Sequence, residues 1–459
     1  MLAALAFSIL FYALSLHGFA GDLLMDIANG RWILAHGYVP LRNVLTQARS
    51  GALWANDEWL FGVLVAWLYA HIGAQGVLWA LGAVVALVAV LIAVLAVRLR
   101  SPFDLAATVL VAVGMQAGMS PRPQLFSYLF FVVSLWAVLE YRSGRRWPLW
   151  LAVALVPIWT NLHASALLMP LLVLSEVLFT SRSLRDSKEL LLAAGAGVLL
   201  SFAYPGGASM GAGFISQIFT PGVVDHIAEW LPTDPFSSWL WTLLLSLPAG
   251  AWLGLRATKR GDFTAASWVL LGIIMVAFAV RFVPYALLGV LAVATTDPWL
   301  TPRVSSRNGE WFAGAAAAVL AVVILQASPA FVNREPVQAI SWLKAHHATN
   351  VLTYYNFGDA LDFYGVRPWV DGRAELWTRT PWWPMYVKAL FGQVSPAAFA
   401  ARYDPEATYM LWPAYPKVLA DMRQSSPWRI MFRDDTDAAR TEYNGIGTVY
   451  VWQRIAAIK

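Results

Sequence analysis

Apolar runs dominate the chain, and their lengths decide how it is read. A helix crossing a bilayer needs about 20 apolar residues, or about 17 at the short end. Runs of that kind fall at 2–19, 76–97, 105–119, 124–140, 148–161, 164–180, 189–204, 238–255, 264–280, 283–298 and 310–327. They predict about eleven transmembrane helices, several of them short. Residues 59–72 are also apolar, with Trp59, Trp67 and His71 among them. They are expected to form an interfacial or re-entrant helix rather than a span. From about 331 the pattern changes. Short β-rich runs beginning at Asn350, Ala407, Trp428 and Gly447 alternate with helix-like stretches at 336–347, 385–392 and 415–424. That alternation predicts a small α/β domain. The chain therefore divides into a membrane domain, 1–330, and a domain at 331–459 large enough to fold by itself. No internal repeat or low-complexity tract is visible.

Composition supports the same division. The sequence is 59% hydrophobic and only 13% charged, about half the charge of an average soluble domain. The surplus apolar surface is expected to face the lipid bilayer. The 24 Trp suit membrane interfaces, where an indole buries its ring and still donates a hydrogen bond. With no cysteine, disulfides, thiolate nucleophiles and cysteine-bound metals are excluded.

The positions of the basic residues set the sidedness. One alternate set of loops holds Arg98 and Arg100; Arg142, Arg145 and Arg146; Arg182, Arg185 and Lys188; Arg256, Lys259 and Arg260; Arg303 and Arg307. The other set holds Arg31, Arg42, Arg49, Arg122 and Arg281 on longer loops. Cytoplasmic loops attract Lys and Arg. The first set is then cytoplasmic, the N-terminus inside, and residues 331–459 outside. The first segment has no basic leader, so either it is expected to stay as the first helix or the true start lies upstream.

Sidedness gives the polar residues meaning. The first outer loop, about 20–75, carries Asp22, Asp26, Asp57 and Glu58. Other outer ends carry Arg122 in Ser-Pro-Arg-Pro, His163 in Thr-Asn-Leu-His, Asp225, His226 and Glu229, and Arg281 in Arg-Phe-Val-Pro. These groups are expected to converge on one outward-facing cavity. Ionisable groups at membrane depth are costly and usually functional. Carboxylates beside cations suit proton removal from a hydroxyl and binding of a phosphate. Each also has a structural reading. Asp22 and Glu58 stand where helix caps are needed, Arg122 and His163 where loops need donors, and Glu229 and Arg281 could simply pair. Asp26, four residues after Asp22, repels it across one helix face unless a cation or substrate intervenes. Glu176 lies within a span near its cytoplasmic end, where a hydrogen bond inside the helix bundle is expected. Asp225 and His226 lack the spacing of a metal site. No P-loop, GxSxG, HExxH or Rossmann fingerprint occurs.

The run DLLMDIANGRWILAHGYVPLRNVLTQARSGALWANDEWL at 22–60 resembles the first outer loop of a large family of uncharacterised bacterial multi-pass proteins. Later landmarks, PRPQLFSYLF at 121–130, WTNLH at 159–163, EWLP at 229–232 and WVDGRAELW at 369–377, resemble the same family. The family is distantly similar to GT-C glycosyltransferases of the protein mannosyltransferase and aminoarabinose transferase types. The resemblance implies a GT-C-like helical membrane domain with an extracytoplasmic C-terminal domain in the bacterial inner membrane. It implies transfer of sugar from a polyprenyl-phosphate carrier, with a first-loop carboxylate, Asp22 or Asp26, as base. Glu58 or His163 would position the acceptor, and Arg122, Arg281 or both would hold the phosphate. Glu229 and Arg373 are further substrate-binding candidates; Arg373, in the tight Asp371-Gly372-Arg373 turn, is expected to be structural or substrate-facing, with the structural role favoured. No organic cofactor and no nucleic-acid partner are expected; a divalent metal stays open. The chain departs from the family at Asp26, where His is usual, at Asn43, where Asp is common, and at Ala164, where Gly is common. Two other classes remain: a transporter or flippase for a lipid-linked or polar substrate, which would favour mid-membrane sites and repeats, and a non-catalytic scaffold for envelope assembly.

Overall fold

A computed structural model describes residues 21–100, 103–115, 118–180, 187–207, 240–301, 335–425, 427–435 and 448–455. The predicted spans at 2–19 and 310–327, together with Asp225, His226 and Glu229, lie outside them. The described residues form two compact units. One draws on Ile72–Ala208 and Ile227–Ala330, the other on Gly18–His71 and Phe331–Lys459.

The first unit is helical. After Ile72 of helix α2 (Trp59–Ala96) it contains α3 (Phe103–Met115), α4 (Gln124–Arg142), α5 (Trp147–Leu162), α6 (Leu168–Phe179), α7 (Lys188–Leu200), α8 (Leu240–Lys259), α9 (Phe263–Phe278) and α10 (Val283–Ala294). These match nine of the predicted apolar runs to within a few residues at most ends. Among the described residues, α2 and α4 are long and apolar enough to cross a membrane; α5, α9 and others are shorter apolar helices. The break expected between 59–72 and 76–97 is a single residue, Gly73, whose φ of 68° and ψ of −175° interrupt one continuous run. Proline and polar caps set the starts. Pro148 and Pro284 occupy first turns, where a missing N–H costs nothing. Asp262 accepts from Ala265 N at 3.0 Å.

The basic ends are tied to carboxylates, most of them buried. Arg98 meets Glu140, which Arg145 also reaches. Arg142 donates to Glu176 at 2.7 Å and to Asp262 at 3.2 Å. Arg256 and Arg260 share fully buried Asp297. The bundle hydrogen bond expected of Glu176 is present. These pairs sit at the Arg142 end of α4, whereas Arg122 precedes its other end. Likewise Asp262 and Arg281 flank opposite ends of α9.

In the second unit the sheet has strand order β1-β2-β4-β3. Strand β1 (Val351–Thr353) runs parallel to β2 (Tyr409–Pro413). Strand β4 (Val449–Arg454) is antiparallel to β2 and to β3 (Trp428–Asp434). Each strand falls in a predicted β run. The helices α11 (Val337–Ala345), α14 (Trp383–Leu390) and α16 (Pro416–Ser425) occupy the predicted helical stretches. Three more, α12 (Gly358–Tyr364), α13 (Ala374–Trp377) and α15 (Pro396–Tyr403), are too short to leave a periodic signal. Trp377, Trp412, Tyr386, Phe357 and Phe399 fill the core, and Leu24, Ala48 and Trp54 of the first loop belong to it. The loop is also stitched in by backbone bonds from Gln47 N and Ala48 N to the carbonyls of Pro368 and Trp369. The compact unit is thus larger than 331–459.

Candidate functional site

Two helices carry the first-loop acids. Helix α1 (Gly21–His36) places Asp22 in its first turn, where the helix dipole favours a carboxylate. Glu58 directly precedes α2. The two helices lie almost backbone to backbone. A Cβ on Gly30 would stand 1.9 Å from the Gly62 carbonyl oxygen, and one on Gly62 would stand 2.8 Å from the Asp26 carbonyl oxygen. Only glycines allow this approach. It brings Asp22 and Asp26 into the field of Glu58. Asp26 is 2% exposed. Burial first, then Asp57, Asp26, Asp22 and Glu375, hold the Glu58 carboxyl well above the ordinary carboxylate range. Desolvation and like charge act in the same direction here.

Residues 359–375 add acids that reading the sequence did not single out. Asp359 accepts from Gly372 N at 2.7 Å, and the Tyr355 hydroxyl donates to the Gly372 carbonyl at 2.7 Å. Burial, then Asp22 and Asp371, raise the Asp359 carboxyl well above its usual range. Asp362 is raised by burial and by Asp371, with which it shares a hydrogen bond. Glu375 is pushed up to about 7, chiefly by burial. Asp22, Asp26, Asp57, Glu58, Asp359 and Glu375 therefore belong to one electrostatic neighbourhood within this unit.

Arg373 is the cation inside it. Its guanidinium donates from Nε to Asp371 Oδ2 at 2.8 Å and from Nη2 to Asn43 Oδ1 at 2.9 Å. It lies over the Trp54 ring, 4.3 Å from the centroid. Asn43 explains one departure from the family pattern. Its Nδ2 donates to Thr46 Oγ1, Ala48 O and Arg49 O at 2.7, 3.0 and 3.2 Å. A carboxylate could make none of those donations. Arg373 thus joins the first loop to the Asp371 turn.

Arg122, His163 and Arg281 fall in the helical unit. His163 Nδ1 accepts from Ser165 N at 3.2 Å and lies 2.9 Å from Ser165 Oγ. An accepting Nδ1 puts the ring proton on Nε2. Burial and then Arg281 lower the His163 imidazole to about 3, so it stays neutral and offers an N–H. Ser165 Oγ donates to Ser127 Oγ at 2.7 Å, and Trp159 Nε1 donates to both hydroxyls. Arg122 occupies the turn before α4, with its N–H on Ser120 O at 2.7 Å. Asn161 donates to Pro157 O and Ala203 O at 2.7 and 2.8 Å. Among the described residues no group of three or more His, Asp or Glu is arranged to hold a metal ion.

No family model matches the chain, and no curated protein does. Solved structures do. An archaeal oligosaccharyltransferase, AglB from Archaeoglobus fulgidus, in complex with an inhibitory peptide and a dolichol-phosphate, superposes with a TM-score of 0.58 at 11% identity, covering 90% of this chain and 69% of its own. The apo form of an oligosaccharyltransferase from the same organism matches with a TM-score of 0.56 at 10% identity over the same shares. These neighbours are GT-C glycosyltransferases, and the distant GT-C resemblance read from the sequence is borne out at the level of fold.

Proposed function

We propose that this protein is an inverting membrane glycosyltransferase. It takes a sugar from a polyprenyl-phosphate carrier and places it on an extracytoplasmic acceptor. The observation that carries the reading is the crowding of carboxylates from the first loop around Asp22, Asp26 and Glu58, in a fold shared with a protein solved with a dolichol-phosphate. The long and the shorter apolar helices are read together as spans, about eleven in the whole chain, with 331–459 outside.

Asp22 or Asp26 takes the proton of the acceptor hydroxyl. The freed oxygen pair forms a bond to the anomeric carbon as the bond from that carbon to the carrier phosphate breaks. The configuration inverts and polyprenyl phosphate leaves with the electron pair. A phosphate is a good leaving group and needs no strong general acid. Glu58, whose carboxyl burial and its acidic neighbours hold well above the ordinary range, is assigned to position the acceptor by a hydrogen bond while the Asp takes the proton. Arg122 and Arg281 are assigned to the phosphate, as charge-assisted donors suited to it. His163, neutral and with its proton on Nε2, adds a donor beside Arg281. The scheme uses no resident cofactor; chelation before assay reads any role of a divalent cation.

The test begins by identifying the lipid that co-purifies in mild detergent, by mass spectrometry. With that carrier in hand, Asp22→Asn keeps size and one acceptor, and a purely structural role would cost about 1 kcal/mol or less of stability. Loss of a general base costs on the order of 10²–10⁴-fold in rate. The expected result is a stable, inactive Asp22→Asn and a less severely impaired Asp26→Asn. If Asp22→Asn turns over normally and Asp26→Asn is dead, the base is Asp26. If both are fully active, the first-loop carboxylates are not the base.

A further inference from the structure

Several hydroxyls in the apolar helices of the first unit bond back to their own turns. Ser134 donates to Phe130 O at 2.8 Å, Ser175 to Leu172 O at 2.6 Å, Ser201 to Gly197 O at 2.8 Å and Thr108 to Asp104 O at 2.7 Å. Such a bond satisfies a buried hydroxyl without a second element. Ser127 and Ser165 behave differently. Their oxygens are 2.7 Å apart, and both accept from the Trp159 indole N–H, at 3.2 and 3.1 Å. The Tyr285 hydroxyl is hydrogen-bonded to both serines. Ser127, Trp159 and Tyr285 are buried, and the Tyr285 ring packs against Tyr128 and Phe131, with centroids 5.2 and 5.1 Å away. One knot of side chains therefore joins α4, α5, the turn Ala164–Leu167 and α10.

His163 hangs from this knot. Ser165 N donates to its Nδ1 at 3.2 Å, and Ser165 Oγ lies 2.9 Å from the same atom. The imidazole is rigid, so a ring gripped at Nδ1 has its Nε2 edge placed as well. Arg281 stands four residues before Tyr285, in the short turn Val280–Phe282 that leads into α10. Its charge acts on both His163 and Tyr285. We infer that Ser127, Ser165 and Tyr285 are positioning residues, which hold the His163 ring so that its Nε2–H and the Arg281 guanidinium serve one phosphate. Packing alone would be met by hydroxyls bonded within their own helices, as at Ser134 and Ser201. Tying the His163 turn to the helix that follows Arg281 is what a site with two donors requires. Donors ordered before the ligand arrives also spare it the entropy of ordering them. This assignment rests on the polyprenyl-phosphate reading above.

The test is equilibrium binding of radiolabelled farnesyl phosphate to the full chain in nanodiscs, with farnesol as the uncharged comparison. His163→Asn keeps an acceptor for Ser165 N but is too short to present the distal N–H. It and Arg281→Gln should each weaken binding by on the order of 10–100-fold, as loss of a hydrogen bond to a charged group does. Ser127→Ala and Tyr285→Phe, the second of which keeps the ring packing, should each weaken it roughly three- to tenfold. In the His163→Asn background neither should weaken it further, because both act through that ring. Equal losses in the two backgrounds, or no loss in the wild-type background, would show that the hydroxyls only brace the helices. Either result would overturn the assignment and leave the carrier reading standing. Unchanged binding by His163→Asn would overturn the assignment too. A wild-type chain that binds farnesyl phosphate no better than farnesol would overturn the carrier reading and this assignment together.

Discussion

Replacing Arg373 with Met removes the charge while keeping much of the volume over Trp54. Arg373 is 3% exposed and its partner Asp371 is fully buried. Breaking a buried pair by removing one partner costs about 3–5 kcal/mol, because the other charge is stranded. Asp371→Asn in the same chain should remove much of the penalty, a coupling that a double-mutant cycle reads directly. The assay follows a thiol placed in the core at Ala389→Cys, whose rate of labelling tracks the open population when closing is fast. Roughly 4 kcal/mol is about a 10³-fold faster reaction at pH 7. Less than tenfold, or equal rates for Arg373→Met with and without Asp371→Asn, would refute the role of this pair in joining the loop to the C-terminal segment.

Three further outcomes are expected. On intact cells an impermeant thiol reagent should label Ser50→Cys and Lys388→Cys and spare Ser143→Cys; the opposite pattern would invert the topology. Gly30→Val should destabilise the first-loop unit by about 1–3 kcal/mol or more, seen in the same labelling assay, because the Gly62 carbonyl occupies the space a Cβ needs; an unchanged rate would mean the helices separate easily. The stability of this unit should fall as pH rises from about 4.3 to 7, since Glu58, Asp359 and Glu375 hold protons in the folded state that the unfolded chain releases. Glu375→Gln should make that slope shallower, and a profile flat over this range would show that these carboxyls ionise as freely as in water.

Most of the fold was legible because its signals are local. An apolar run such as 124–140 declares a helix through the length of chain that cannot face water, and Pro121 and Pro123 mark where it starts. The runs at 407 and 428 declare strands through β-branched and aromatic residues between turn signals. What was not legible is that residues 21–71 fold with 335–455. The bonds that join them link positions more than 300 apart, such as Gln47 with Pro368 and Asn43 with Arg373. No periodicity records such a partnership. Helices as short as Ala374–Trp377 complete too few turns to show one.

The site was half legible, and the missing half alters its chemistry. Asp22, Asp26 and Glu58 stood out as acids in an apolar chain, and Asp26 as a repulsive neighbour of Asp22. Asp359 and Glu375 did not stand out, because acids in a charged, soluble-looking segment are ordinary until the fold buries them. One local sign was present: Asp371, Arg373 and Glu375 alternate within five residues, more charge than a buried turn tolerates without pairing. Arg373 is bound to Asp371 and Asn43, and although its charge also acts on Asp362 and Glu375, burial outweighs it at both. The carboxyls that remain are held well above their ordinary range by burial and by one another, as Glu58 and Asp359 are. A core chosen for stability alone would replace such groups with apolar ones of similar size, usually at no loss. Groups kept at a cost to stability mark places where function overrides packing, and here they coincide with the loop that the sequence had already singled out.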